Sequence, residues 1–194
     1  MLGVFENDPN ELLRKATSQR NSGNIEDAIT TLQRAYKLIQ SGQIIYPVET
    51  FLRLPAYLHE AGRREEAWQE YQQLLSEGCP NQLMPDVIPM DQSIVYDKMR
   101  LFLQRDGSHD HAVAYGVLSY CSWAIGLYLQ KRKDELQNHI SQIEIDKLTH
   151  RLLKKANRLN TQEKISEIVF EKLNNVGSIN LNELFADINS CLLV

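Results

Sequence analysis

Residues 9–40 read PNELLRKATSQRNSGNIEDAITTLQRAYKLIQ, residues 50–75 read TFLRLPAYLHEAGRREEAWQEYQQLL, and the two stretches match each other at a fixed offset. Leu13, Arg14, Gly23, Glu26, Ala28 and Gln33 recur 39 residues later as Leu52, Arg53, Gly62, Glu65, Ala67 and Gln72. Self-similarity of this kind marks stacked repeats, in which one unit cannot bury its apolar face alone. Asp8 can cap a first helix, Pro9 suits its first position and Glu11 can reach back as in a capping box. Leu12, Leu13 and Ala16 mark its apolar face, and it is expected to end near Ser22-Gly23. Asn24 can cap the next helix, which carries Ala28, Leu32, Ala35 and Leu38 at helical spacing. The second stretch repeats the plan: Phe51, Leu54 and Leu58, a turn at Ala61-Gly62, then Ala67, Tyr71, Leu74 and Leu75. Pro55 is expected to kink the third helix or delay its start.

The order turn glycine, alanine five residues on, then bulky and small residues along the second helix resembles the tetratricopeptide repeat family. Gly23, Ala28, Leu32 and Ala35 carry the resemblance, as do Gly62, Ala67, Tyr71 and Leu74, over residues 9–78. The chain departs from the pattern in its 39-residue offset, lengthened by Gly42 to Pro47, against the family's period of about 34. Gln40 also stands where a closing proline is common. The resemblance implies an α-solenoid of antiparallel helical hairpins that binds a peptide or partner helix. The groove, lined by the first helix of each repeat, would comprise Leu13, Thr17, Arg20, Asn21, Leu52, Ala56, His59 and Glu60. The lysines and asparagines of the family's carboxylate clamp are not reproduced, so recognition of a C-terminal carboxylate is not expected.

Outward from the repeats, Gly78 to Pro89 is rich in turn formers, and residues 81–92 are expected to link residues 1–80 to a helical region over 93–194. Leu103, Gly107 and Ala112 copy the spacing of Leu58, Gly62 and Ala67. Ala112 to Leu129 then runs 18 residues without a charge, followed by Lys131-Arg132-Lys133. Its length fits a marginal membrane span, but Tyr115, Ser119, Tyr120, Ser122, Trp123 and Tyr128 favour a buried central helix. Ala112, Gly116, Ser119, Ser122 and Gly126 form a stripe of small residues, suited to close packing within the fold or to self-association. Helical segments are expected over Lys131–Leu159, Thr161–Asn174 and Asn180–Leu192, with starts at Asn160 and Asn180. Nothing alternates at period two, so the expected fold class is all-α, with these segments as a C-terminal extension.

Composition is that of an ordinary globular protein, 43% hydrophobic and 24% charged, with a net charge of −4 that argues against a general nucleic-acid coat. Cys79, Cys121 and Cys191 lack CxxC spacing and suit buried thiols rather than a disulfide framework. The start, Met1 to Asp8, has no basic region followed by an apolar core, so a cytoplasmic location without a membrane is expected.

Few constellations suggest chemistry. Lys172 to Glu183 resembles an EF-hand loop in Gly177, Ile179 and Glu183, but Lys172 and Val176 stand where oxygen ligands are needed. A plain helix junction is expected there, and Glu183 and Asp187 oppose its use as a DNA-reading element. Lys147, Arg151, Lys154, Lys155 and Arg158 share a helical face, and Lys131 to Arg158 carries eight basic and four acidic groups. That face suits an acidic partner, a phosphate backbone or simply solvent. His109 and His111 could ligate a metal, but no third ligand is identifiable and Asp110 or Ser108 can serve as a cap. No GxSxG, GKS/GKT, GxGxxG or HExxH occurs. The expected function is therefore that of an adaptor, chaperone or assembly factor, not an enzyme, binding a protein or peptide without a cofactor. A nucleic-acid-associated regulator using the basic face is the runner-up, and a metal enzyme at His109 and His111 a third reading.

Overall fold

The computed structural model describes residues 8–82 and 84–193, and every regular element among them is helical. Residues 1–7, most of the stretch read for a leader, lie outside the described residues. The chain divides into two compact units, Met1–Leu83 and Met84–Val194. The first holds α1 (Pro9–Asn21), α2 (Ile25–Ser41), α3 (Val48–Phe51), α4 (Arg53–Glu60) and α5 (Arg64–Glu77). The second holds α6 (Ile88–Arg105), α7 (His109–Leu129), α8 (Lys133–His139), α9 (Gln142–Ala156), α10 (Gln162–Leu173) and α11 (Leu181–Leu192). Residues 88–92, expected in the linker, thus begin α6; Pro89 is tolerated there because first-turn N–H groups lack intrahelical partners anyway.

One turn joins four successive helix pairs. Ser22, Ala61, Asp106 and Gln130 each close a helix with ψ between 0° and 5°. Each is followed by a left-handed residue: Gly23 at φ 82°, Gly62 and Gly107 at 78°, and Lys131 at 59°. Asn24, Arg63, Ser108 and Arg132 then open the next helix with ψ between 61° and 67°. The hydrogen bonds repeat as well. Gly23 N–H donates to the Arg20 carbonyl and Asn24 N–H to that of Gln19, while Gly62 and Arg63 donate to His59 and Leu58, all within 2.9–3.0 Å. Gly107 and Ser108 donate to Gln104 and Leu103, and Lys131 and Arg132 to Tyr128 and Leu127. This paired closure satisfies orphan carbonyls of the first helix. Asn24, expected to cap α2, makes no capping bond with its side chain. Asp8 does, accepting from Asn10 N–H at 2.9 Å, while Glu11 forms an ion pair with Arg14 instead of closing a capping box.

In the first unit, α1 packs on α2, α4 on α5, and α2 on α4. Ala16, Ala28 and Ala35 are fully buried and keep the helices close, with Ile29, Leu32, Leu58 and Tyr71 filling the space between. The break between α3 and α4 falls at Leu52, just before the first turn that contains Pro55. Proline there has no N–H to continue the ladder and its ring opposes the carbonyl four residues back.

In the second unit α7 is central, packing against α6, α8, α9, α10 and α11. It is long and apolar enough to cross a membrane, yet 61% of that apolar window is buried inside the fold. Val117, Cys121 and Ala124 of α7 meet Ile145 and Leu153 of α9, Ile165 and Val169 of α10, and Leu184 and Ile188 of α11. The small-residue stripe, weighed as a self-association face, is covered from within this unit. Ser119 and Ser122 hydroxyls each donate at 2.8 Å to the α6 carbonyls of Ser93 and Pro89. A Cβ on Gly126 would lie 2.4 Å from Met90 Cγ, and one on Gly116 2.6 Å from a Leu152 methyl.

The segment expected as one helical stretch over 131–159 is broken at Ile140, and Ser141 caps α9 by accepting from Glu144 N–H. Asn160 caps nothing; a 3-10 turn over Leu159–Thr161 leads into α10. Asn180 caps α11 as expected, accepting from Asn182 and Glu183 N–H. Gly177 ends no helix through a left-handed backbone; α10 stops at Leu173, and a Cβ on Gly177 would sit 3.0 Å from the Tyr128 hydroxyl. All three cysteines are buried free thiols, Cys121 pushed by burial up to about 12.

Candidate functional site

The eight residues expected to line a groove are split between core and surface. Leu13 and Leu52 are buried at 8% and 6% exposure and belong to the packing between helices. Thr17, Arg20, Asn21, Ala56 and Glu60 are exposed and His59 is half-buried. Several are tied to one another across α1 and α4. Arg53 donates to the Leu13 carbonyl at 2.7 Å and to the Thr17 hydroxyl at 2.6 Å. Arg20 pairs with Glu60 at 2.7 Å, and both Arg20 and Arg53 lie over the Tyr57 ring, at 5.2 and 5.9 Å. These contacts join the two hairpins and spend the polar groups that a ligand would need.

A cavity of about 400 Å³ lies elsewhere in the same unit, between α2 and α5, the second helices of the two hairpins. Phe51, Leu54 and Leu74 supply its apolar lining, with Tyr36, whose ring packs on Phe51 at 5.2 Å and whose hydroxyl donates to the Thr50 carbonyl. Burial holds the Tyr36 phenol well above its ordinary range, so it serves as a neutral donor. Glu70 and Glu77 line one wall and Lys37 the other. Gln73 donates to Glu77 at 2.9 Å, whereas Glu70 has no ion pair among the described residues and is half-buried. Its carboxyl is raised above the usual range by desolvation first, then by the charges of Glu66 and Glu77. A carboxylate so placed is stabilised by any cation brought into the cleft.

In the second unit, Arg151, Lys154 and Lys155 of the basic face are exposed and carry no ion pair among the described residues. Lys147 pairs with Glu144 at 2.7 Å and Arg158 with Asp110 at 3.0 Å, which leaves three free cations of the five. The Arg158 contact also occupies Asp110, between His109 and His111. Those three residues border a cavity of about 430 Å³ with Asn189 and Leu192, but no group of three or more His, Cys, Asp or Glu able to hold a metal occurs among the described residues.

A third cleft, of about 310 Å³, gathers residues from α6, α7, α9 and the end of α8. Lys98 and Arg100 line it from α6, Arg151 from α9, Tyr120 and Trp123 from α7 and His139 from α8. His139 stacks on Tyr120 at 3.7 Å and meets Trp123 edge-on at 4.2 Å. Each backbone carbonyl of the His139–Tyr120 pair accepts from the other's side chain, the imidazole bond being 3.2 Å. Burial lowers the His139 pKa from 6.5, so the ring is neutral at pH 7.

Sequence reasoning found Arg151 and missed the rest of both clefts. The signal for the first was the spacing of Glu66, Glu70, Gln73 and Glu77 along one face of α5. The second had no signal, because Lys98, Trp123, His139 and Arg151 are brought together only by packing on α7. Among known proteins, no family model, no curated protein and no solved structure matches this chain.

Proposed function

We propose that the chain is an interaction module of tetratricopeptide-like helical hairpins, and that its first unit binds an amphipathic helix or peptide in the cleft between α2 and α5. The occupant carries an apolar face with a lysine or arginine on it. The reading rests on one observation: half-buried Leu74, with the core residues Phe51 and Leu54 also lining the cleft, stands beside Glu70, a half-buried carboxylate without an ion pair among the described residues. An apolar face laid against Leu74 removes water from both surfaces, and its cation meets Glu70 where solvent screening is reduced. The fourfold helical turn supports the hairpin part of the reading, since repeated hairpins present such faces side by side. The cleft lies on the second helices of the hairpins, so the proposed site differs from the groove that the family resemblance implied.

Selection from a displayed random-peptide library tests it. Wild-type protein is expected to enrich peptides with a basic residue flanked by apolar ones at helical spacing. Glu70→Gln should lose the basic preference, and Leu74→Glu should lose binding. No enrichment at all, or a sequence preference unchanged by Glu70→Gln, overturns the proposal. Enriched peptides that release in moderate salt and depend on Lys154 and Lys155 would instead favour the basic face and a phosphate-bearing partner.

A further inference from the structure

We propose that the cleft between α6, α7 and α9 is a binding site for a small phosphate monoester that also bears a planar ring. The site is independent of the cleft in the first unit. Its charge is asymmetric: Lys98, Arg100 and Arg151 face it against a single carboxylate, Asp97. That carboxylate is already held by Arg100, whose Nε and Nη2 donate to it at 2.8 and 2.6 Å. A further donation from Arg100 Nη1 to Gln104 at 3.1 Å fixes the guanidinium in place. Lys98 and Arg151 remain, exposed and without ion pairs among the described residues, one on α6 and one on α9.

Two cations held on separate rigid helices suit a dianion. A guanidinium presents paired donors to phosphate oxygens and an ammonium adds a point charge. A carboxylate could accept from both but brings only one negative charge to two cations.

The remaining surface selects what the phosphate is attached to. Trp123 is half-buried in the lining of the cleft, beside the stacked Tyr120 and His139. Tyr120 and His139 direct their polar atoms to each other's backbone, and Ser119 gives its hydroxyl to the Ser93 carbonyl. The cleft therefore offers aromatic surface beside its cations, which favours a flat ring over a sugar alone. Gly116, also in the lining, lets Leu152 and Arg100 pack directly on the α7 backbone, since a Cβ there would lie 2.6 Å from a Leu152 methyl. At about 310 Å³ the space lies at the small end of ligand sites, enough for a mononucleotide or a phosphorylated aromatic ring.

The chain has two tryptophans, so Trp68→Phe leaves Trp123 as the only reporter at the cleft. In that background, phenyl phosphate and adenosine monophosphate are titrated and indole fluorescence is followed, with calorimetry on the wild-type chain as a second readout. Saturable binding is expected for at least one of the two, about tenfold weaker for inorganic phosphate or adenosine alone. Comparison of the two ligands separates a nucleotide from a phosphorylated aromatic ring as the natural source. Arg151→Gln and Lys98→Gln should each weaken binding about tenfold, while Lys154→Gln, on the same helix as Arg151 but outside the cleft, should change it less than twofold. No saturable response by either method, or equal losses from Lys154→Gln and Arg151→Gln, overturns the site.

Discussion

Both units are built with the same helical turn, yet they use it for different ends. In the first, two hairpins lie side by side and are joined at their polar edges by Arg20–Glu60 and by Arg53 on Thr17 and the Leu13 carbonyl. In the second, the turn brings α6 and α8 onto the long apolar α7, and α9, α10 and α11 complete the enclosure. The difference teaches that a local turn sets only the direction of the next helix. Whether the result is an open pair with an amphipathic cleft or an enclosed bundle depends on how much of each helix is apolar. α2 and α5 keep polar faces with Gln33, Gln40, Gln73 and Glu77, whereas α7 carries no charge from Ala112 to Leu129.

The two tryptophans, Trp68 in α5 and Trp123 in α7, allow each unit to be followed separately in single-tryptophan variants. The largest effect is expected in the enclosed bundle. Ile188→Ala empties a fully buried site between α11 and α7 and should cost about 2–5 kcal/mol, read by denaturant unfolding at Trp123. If Trp68 follows the same transition the two units unfold together, and the contrast between them is structural rather than energetic.

Glycine supplies a sharper test, since it serves two purposes here. Gly116→Val is expected to cost about 1–3 kcal/mol through the clash with Leu152 and Arg100, in spite of better helix propensity. Gly23→Ala meets nothing within 4 Å, and its cost of about 1 kcal/mol should come only from the left-handed backbone. A loss from Gly116→Val no larger than that from Gly23→Ala would remove the distinction.

Lys131 occupies the position that glycine holds in the other three turns. Lys131→Gly should therefore stabilise the second unit by about 0.5 kcal/mol, the left-handed penalty being partly offset by glycine's larger loss of chain entropy. A destabilised variant would mean that the Lys131 side chain contributes more than its backbone costs.

The smallest effect is a dependence on pH confined to the second unit. His139 has a folded pKa below its ordinary 6.5 because burial disfavours the charged ring. The unfolded chain therefore binds the proton first, so stability is flat above pH 6.5 and falls as pH drops below it. His139→Gln should flatten that decline at Trp123 and leave the Trp68 transition unchanged, as a melting series from pH 7.5 to 5 would show.

Legibility followed the range of the interaction. Gly23, Gly62 and Gly107 marked three of the four turns because a left-handed backbone selects glycine locally. The turn at Lys131 was hidden, since lysine is tolerated in that conformation without announcing it. The break at Ile140 was hidden too, in a segment whose composition stayed helical throughout. Leu13 and Leu52 were assigned to a groove from their repeat positions, but helical periodicity does not say which of two neighbouring faces the next hairpin will cover.

By itself the sequence determined the all-helical class, the hairpin boundaries at the glycine turns and the burial of the uncharged stretch over 112–129. Each of those follows from backbone preference or from periodicity within about one helix length. Tertiary structure alone decided that α2 and α5 frame the cleft with Glu70, and that Lys98, Trp123, His139 and Arg151 share another. Such sites join residues from different helices. The relative rotation of packed helices is set by side-chain interdigitation, such as Leu152 against Gly116, to which no single helix carries the key.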